Sequence, residues 1–166
     1  MKLTALRVLL AITGLAAIAP ADTAQAREPV TFPPFTLPAS NRCGFPVHLE
    51  AVSDNEYQDV TTLADGTTIT RVTGRLVLSF TNIDTGFTII RNVSGPSTEI
   101  DHPDGSVTIV YEGPSWFAFG PVSQRNTGQP ALFFTNGRVV LQAANGFVTS
   151  FSLAGQQVNG CELLAP

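Results

Sequence analysis

The sequence predicts an all-β protein, either a single antiparallel barrel or a two-sheet sandwich of about nine or ten strands, joined largely as a meander. Segments 75–80, 106–112 and 147–153 alternate apolar with polar side chains and are rich in Val, Ile, Thr and Phe, which is typical of strands buried on one face. Asp-Gly and Asn-Gly dipeptides separate such segments and tolerate the positive φ of tight hairpin turns. Helical spacing does not persist beyond one turn in the body, so no helix is expected there.

Residues 1–26 have the pattern of a secretory signal peptide. Lys2 and Arg7 precede an uncharged apolar run at 8–19, and Ala24 and Ala26 form an A-x-A cleavage site. The run of about 12 residues is shorter than the roughly 20 that a spanning helix needs. We therefore expect a secreted, extracellular protein without a membrane anchor.

Residues 27–42 form a proline-rich N-terminal arm, and residues 43–166 form the β domain. Four prolines between 27 and 40 favour an extended chain that cannot pair as a central strand. This composition predicts a spacer. The chain of about 140 residues that follows cleavage suits one domain.

The turn chemistry assigns the connections within the domain. A hairpin is predicted over 74–93, a three-stranded meander over 132–153, and strand ends at each Gly-Pro pair. Tight turns are expected at Asp65-Gly66, Asp104-Gly105, Asn136-Gly137 and Asn145-Gly146, a three-residue loop at 84–86, and strand ends at Gly95-Pro96, Gly113-Pro114 and Gly120-Pro121.

Three aromatic side chains, Trp116, Phe117 and Phe119, lie between two Gly-Pro pairs. Such a cluster belongs either to the core or to the wall of an apolar ligand site. Ser97 and Ser115 each follow a Gly-Pro pair and are interpreted as turn residues. The polar segment 124–129 is interpreted as a loop.

His102 is the main candidate for catalysis, because Asp101 and Asp104 flank it. The cluster could supply a general base or bind a divalent cation, but Asp is also the ordinary residue of such a turn. His48 is expected on the outer face of a strand. The chain has no HExxH, Cys-x-x-Cys or G-x-S-x-G motif, so we expect no metal site and no cofactor. A carboxylate pair for glycoside hydrolysis is left open among Glu50, Glu56, Glu99, Asp101 and Glu112.

The charge distribution argues against nucleic-acid binding. The formal net charge is −4, and the arginines are dispersed singly along the body of the chain. A nucleic-acid-binding domain would instead present a basic patch.

The two cysteines, Cys43 and Cys161, stand near the two ends of the β domain. An even, minimal count in a secreted chain favours a disulfide. Closing a loop of about 100 residues would stabilise the fold by roughly 4–5 kcal/mol. A thiol nucleophile beside His48 and an intermolecular link are the alternatives.

The segments CGFPVHLE (43–50), LSFTNIDTG (78–86), NVSGPS (92–97) and LFFTNGRVVL (132–141) resemble a group of small secreted β-rich proteins of actinobacteria, with a CGFPV-type opening and a C-terminal cysteine. The resemblance implies a bacterial, extracellular protein. It implies no site residue.

Three functions follow as hypotheses. The first is a non-enzymatic domain that binds a small apolar molecule, through Trp116, Phe117 or Phe119, or a cell-envelope component. The second is a small hydrolase or isomerase that uses His102 with Asp101 or Asp104, and the third is a structural cell-surface protein. The sequence does not decide the oligomeric state.

Overall fold

A computed structural model describes residues 23–24, 27–41 and 43–165 of the chain. The predicted all-β class is confirmed, with ten strands and two short helices in the described ranges. The apolar run and most of the predicted signal peptide lie outside the described residues. The strands are β1 (Thr23–Ala24), β2 (Glu28–Val30), β3 (Phe35–Leu37), β4 (Val47–Thr62), β5 (Thr68–Asn82), β6 (Thr88–Asn92), β7 (Ser97–Asp101), β8 (Val107–Ala118), β9 (Leu132–Ala144) and β10 (Phe147–Asn159), and the helices are α1 (Pro121–Thr127) and α2 (Gly160–Leu164).

All ten strands belong to one antiparallel sheet in the order β1-β4-β5-β7-β8-β9-β10. The short strands β2 and β3 pair with β4, and β6 shares one edge of β5 with β7. Within the described residues β10 pairs only with β9, so the sheet is not closed. Of the two predicted architectures, the barrel is therefore wrong, and a sandwich or open sheet fits.

Most predicted turns are confirmed. The pairs β4–β5, β7–β8 and β9–β10 are joined at Asp65-Gly66, Asp104-Gly105 and Asn145-Gly146, and the loop at 84–86 joins β5 to β6. Asp104 shows why these residues suit the turn, because its carboxylate accepts hydrogen bonds from the backbone N–H and the hydroxyl of Ser106. These bonds lower the pKa of Asp104.

Two predicted breaks are wrong. Asn136-Gly137 lies inside β9, so 132–153 forms two strands and not three, and Gly113-Pro114 lies inside β8. Both glycines have positive φ, 143° at Gly137 and 82° at Gly113. The two glycines supply the positive φ that the sequence indicates, but within strands that continue on both sides of them.

The glycines of neighbouring strands are aligned in one row across the sheet. Gly137 is paired with Gly113 on one side and with Gly155 on the other. Gly74 and Gly95 continue this row, since Val72 and Ser97, two residues away, pair in register with each other and with Tyr111 of β8. We call the five residues Gly74, Gly95, Gly113, Gly137 and Gly155 the glycine row.

At four of the five positions of the glycine row, all except Gly113, the neighbouring backbone lies too close for a side chain. A Cβ on Gly137 would stand 2.3 Å from the carbonyl oxygen of Ala154, and one on Gly155 would stand 2.3 Å from that of Asn136. The row therefore leaves a strip of sheet without side chains, across which the strands stay paired.

Two apolar clusters stabilise the sheet. The first packs Leu49, Leu78 and Phe80 with Leu132 and Leu164, and the second packs Phe117, Phe119, Phe133, Val139 and Leu141. β9 serves both clusters because its successive residues Leu132 and Phe133 point to opposite faces.

The alternation predicted at 147–153 is only partly right. A register shift between Val148 and Ser150 reverses the faces, so that Phe147 is 47% exposed while Val148 packs against the second cluster.

The proline-rich arm is not a free spacer. β2 and β3 pair with β4 on both sides of the Pro33-Pro34 step, in edge positions that tolerate proline. Phe32 of the arm packs against the first cluster, and its backbone N–H donates to Asp54 Oδ2 at 2.7 Å.

Both helices are short, and the residue pattern of the sequence does not predict either of them. α1 occupies the segment that is predicted to be a polar loop; it begins at Pro121 and ends at Thr127, and Gly128 caps it in the left-handed conformation. In α2, Asn159 caps the first turn by accepting from the N–H of Cys161, and Leu164 is fully buried.

The predicted disulfide joins Cys43, before β4, to Cys161 in α2, with Cα atoms 5.1 Å apart. It links the start of the β domain to its last helix.

Candidate ligand-binding cavity

A cavity of about 210 Å³ opens beside the glycine row, between β5 and β8. The connection from β6 to β7 passes along it. We call it the Glu56 cavity; it is lined by Glu56, Val72, Leu76, Val93, Gly95, Ser97, Tyr111, Ser115 and Trp116.

The register places the polar part of this lining on one face of the sheet. Ser97 is paired with both Val72 and Tyr111, and directly opposite residues share a face. Glu56 joins them because it is opposite Gly74, two residues along from Val72. Glu99, two residues from Ser97, lies on the same face.

Glu56 is a half-buried carboxyl group whose pKa is raised, first by burial and then by the nearby charge of Asp54. Among the described residues neither carboxylate pairs with an arginine; the one ion pair there joins Arg138 to Glu112. Arg27, the basic residue of the arm, lies over the ring of Tyr57 and donates to Thr73 instead. The cavity therefore carries an uncompensated acidic group.

Tyr111 lies between two carboxyl groups. Burial raises its pKa to about 12, and the charges of Glu99 and Glu56 act in the same direction. Its ring packs edge-on against Phe117 with centroids 5.0 Å apart. The pKa of Glu99 is also raised, by burial and by Asp101.

Ser115 is the unusual polar residue of the site. It is 4% exposed, and its hydroxyl has no hydrogen-bond partner within the described part of the chain. Thr135, directly opposite on β9, also has a buried hydroxyl with no partner among the described residues, but it does not line the cavity. Leaving such a group unsatisfied costs about 1–3 kcal/mol, so each one needs an explanation.

The three aromatic candidates lie in three different surroundings. Trp116 lines the Glu56 cavity and also contacts Phe32, Phe35 and Phe80, with centroids 5.7–6.1 Å away. Phe117, 5% exposed, belongs to the second cluster and lines neither cavity. Phe119 lines a second cavity.

This second cavity, of about 480 Å³, lies between α1 and the start of β10 and includes Glu99, Phe119 and Phe147. Its wall is largely apolar. Its buried hydroxyl, that of Ser123, is satisfied because it accepts from the N–H of Val148 at 3.1 Å. It therefore shows no polar group that awaits a ligand.

The histidine candidates are not brought together. His102 lies in the β7–β8 turn, where its Nε2 is 3.0 Å from Thr108 Oγ1 and Asp104 is bound to Ser106. His48 is opposite Thr81, while Asp101 is opposite Thr68, at the other end of β5. Neither histidine lines either cavity. Three or more His, Cys, Asp or Glu side chains that could hold a metal ion do not converge anywhere in the described ranges.

The sequence points to only part of this site. The aromatic cluster indicates Trp116, but the Gly-Pro pairs predict turn positions for Ser97 and Ser115, which instead lie in β7 and β8. Glu56 was one of five undistinguished carboxylates. The sequence gives no indication of a functional role for Tyr111 beyond its place in the strand alternation.

No protein-family model matches the chain, and no curated protein or solved structure matches it at a significant level. The resemblance to small secreted actinobacterial proteins therefore stays a prediction. Within the described residues, no helix is long and apolar enough to cross a membrane.

Proposed function

We propose that this protein is a secreted, non-enzymatic β domain that binds a small molecule with an apolar body and a polar head in the Glu56 cavity. The observation that carries the proposal is the hydroxyl of Ser115, buried at the cavity wall without a hydrogen-bond partner among the described residues. With the Ser115 side chain rotated toward the cavity, a bound polar group would satisfy this hydroxyl and remove the cost of burying it alone.

The size and lining of the cavity support a small ligand. Its volume of about 210 Å³ exceeds that of an engineered cavity of about 150 Å³ that holds benzene. Val72, Leu76 and Val93 provide apolar walls, and Trp116 provides a ring for stacking. The ligand is either a free molecule or the exposed end of a cell-envelope component.

Secretion is part of the proposal. It is supported by the disulfide, since such bonds persist in oxidising surroundings, and by the pattern of residues 1–26. N-terminal sequencing of exported protein checks it; a mature chain should begin at Arg27. Catalysis is not proposed, because the side chains of His102 and Asp104 are engaged within their turn.

The binding test uses Trp116, the only tryptophan of the chain, as its reporter. The mature protein is titrated with three probes of similar size, benzyl alcohol, benzylamine and benzoate, while its emission is recorded. At least one probe should shift the emission saturably. Val72→Phe should abolish that response by filling the cavity. If none of the three probes binds, the proposed function is wrong.

Two matched variants test the role of Ser115. Ser115→Ala and Thr135→Val each remove a buried, unsatisfied hydroxyl, and each should raise the free energy of unfolding by about 1 kcal/mol in urea titrations. Only Ser115→Ala should weaken probe binding, because Thr135 does not line the cavity. Equal probe affinity in the two variants would contradict the assignment of Ser115.

A further inference from the structure

We infer that the ligand of the Glu56 cavity is a small organic cation, a primary ammonium group attached to an apolar body. This inference rests on the proposed function and specifies its ligand. It depends on the charges around the cavity, on the acceptor left free there, and on the aromatic wall.

The charges around the cavity favour a cation. Glu56 lines the wall and Asp54 is close enough to affect it, while the lining formed by the described residues includes no Arg, Lys or His. An anionic ligand would be repelled by both carboxylates. A neutral ligand would leave the half-buried Glu56 without a counter-charge.

The hydrogen-bonding groups fit an ammonium head. An alkylammonium has three N–H donors and no acceptor, so it needs acceptors from the protein. The carboxylate of Glu56 is one such acceptor, and Ser97 belongs to the same lining. The hydroxyl of Ser115, which has no partner among the described residues, becomes a second acceptor when its side chain rotates toward the cavity. Hydrogen bonds of this kind to a carboxylate are charge-assisted.

The remaining lining favours an organic cation over a metal ion. Trp116 and Tyr111 belong to the lining, and aromatic rings attract ammonium groups. Val72 and Leu76 are apolar. In the described residues no group of three or more His, Cys, Asp or Glu is available, whereas calcium takes at least six oxygen ligands.

The three probes of similar shape test the inference directly by isothermal titration calorimetry. Benzylamine should bind at least about tenfold more tightly than benzyl alcohol, and benzoate should bind most weakly. Glu56→Gln should reduce the affinity for benzylamine about tenfold and leave that for benzyl alcohol unchanged, since only the ammonium uses the charge. Glu50→Gln, an exposed glutamate on the same strand, is the control and should change neither affinity.

The outcomes separate this inference from the proposed function. If benzyl alcohol or benzoate binds as tightly as benzylamine, or if Glu56→Gln has no more effect than Glu50→Gln, the ligand is not a cation and the cavity remains a binding site. If none of the three probes binds, both proposals are overturned.

Discussion

Tyr111 is the residue in which burial and charge act most strongly together. Its hydroxyl lies near Glu56 and Glu99 on one face of the sheet, and the pKa rises from 10.0 to about 12. Because the folded chain holds this proton to a higher pH than the unfolded chain, the contribution of Tyr111 to stability declines as pH rises from 10.0 towards 12. Any charge removed from the two carboxyl groups should lower the pKa of Tyr111.

The chain has two tyrosines, so Tyr57→Phe isolates Tyr111 for titration. We expect tyrosinate absorbance in this variant to appear only well above pH 10, with circular dichroism recorded alongside to confirm that the chain is folded. Adding Glu99→Gln should move the titration to lower pH, and adding Glu50→Gln should not. Half-ionisation near pH 10 in a folded sample would contradict the structure around Tyr111.

At the scale of the elements, the hairpins show which turns local residue chemistry determines and which features depend on the register of the strands. Asp104-Gly105 and Asn145-Gly146 form turns that the dipeptides alone predict, because the turn needs only positive φ and short polar side chains. Asn136-Gly137 has the same local chemistry but lies within β9. What distinguishes it is its pairing with Gly113 and Gly155, and these partners become visible only when the register is known.

Four positions of the glycine row, all except Gly113, should tolerate no side chain. Gly137→Ala should lower the free energy of unfolding by about 3 kcal/mol or more, because the new Cβ would stand 2.3 Å from the carbonyl oxygen of Ala154. Gly146→Ala is the matched control: Gly146 also has positive φ, but no atom of the described part of the chain lies within 4 Å of its Cβ position. This control substitution should lower the free energy of unfolding by only about 1–2 kcal/mol, which is the strain of a non-glycine residue in the left-handed conformation. Similar losses for both variants in urea unfolding would show that close approach of the strands is not the constraint.

At the scale of the whole molecule, the sequence predicts what depends on periodicity and composition and misses what depends on long-range pairing. The strand class, most turns and the cysteine pair were predictable. The Glu56 cavity was not, because Glu56, Ser97 and Tyr111 come from three separate strands and share a face only through the register of β4, β5, β7 and β8. Alternation of apolar and polar residues also does not predict whether the sheet closes into a barrel, because any sheet buried on one face shows the same alternation.

The disulfide and α2 together hold the two ends of the domain. Cys43 and Cys161 are separated by 118 residues, so the bond closes nearly the whole β domain. The last helix has further contacts of its own: Leu164 is fully buried, and its carbonyl oxygen accepts from Asn82 Nδ2 at 3.0 Å. Loss of the disulfide should therefore leave α2 docked in the native state. It should destabilise the fold mainly by raising the conformational entropy of the unfolded chain.

We expect the double variant Cys43→Ser with Cys161→Ser to lose about 4 kcal/mol of unfolding free energy while its near-UV circular dichroism stays that of the native protein. Leu164→Ala should lower the free energy of unfolding by about 2–5 kcal/mol for a different reason, since it opens a gap beneath α2 in the first apolar cluster. Reduction should therefore destabilise the Leu164→Ala chain further and leave the double serine variant unchanged. Two titratable thiols in the unfolded, unreduced wild-type protein would contradict the bond, and an unchanged stability of the double variant would contradict its role in closing the domain.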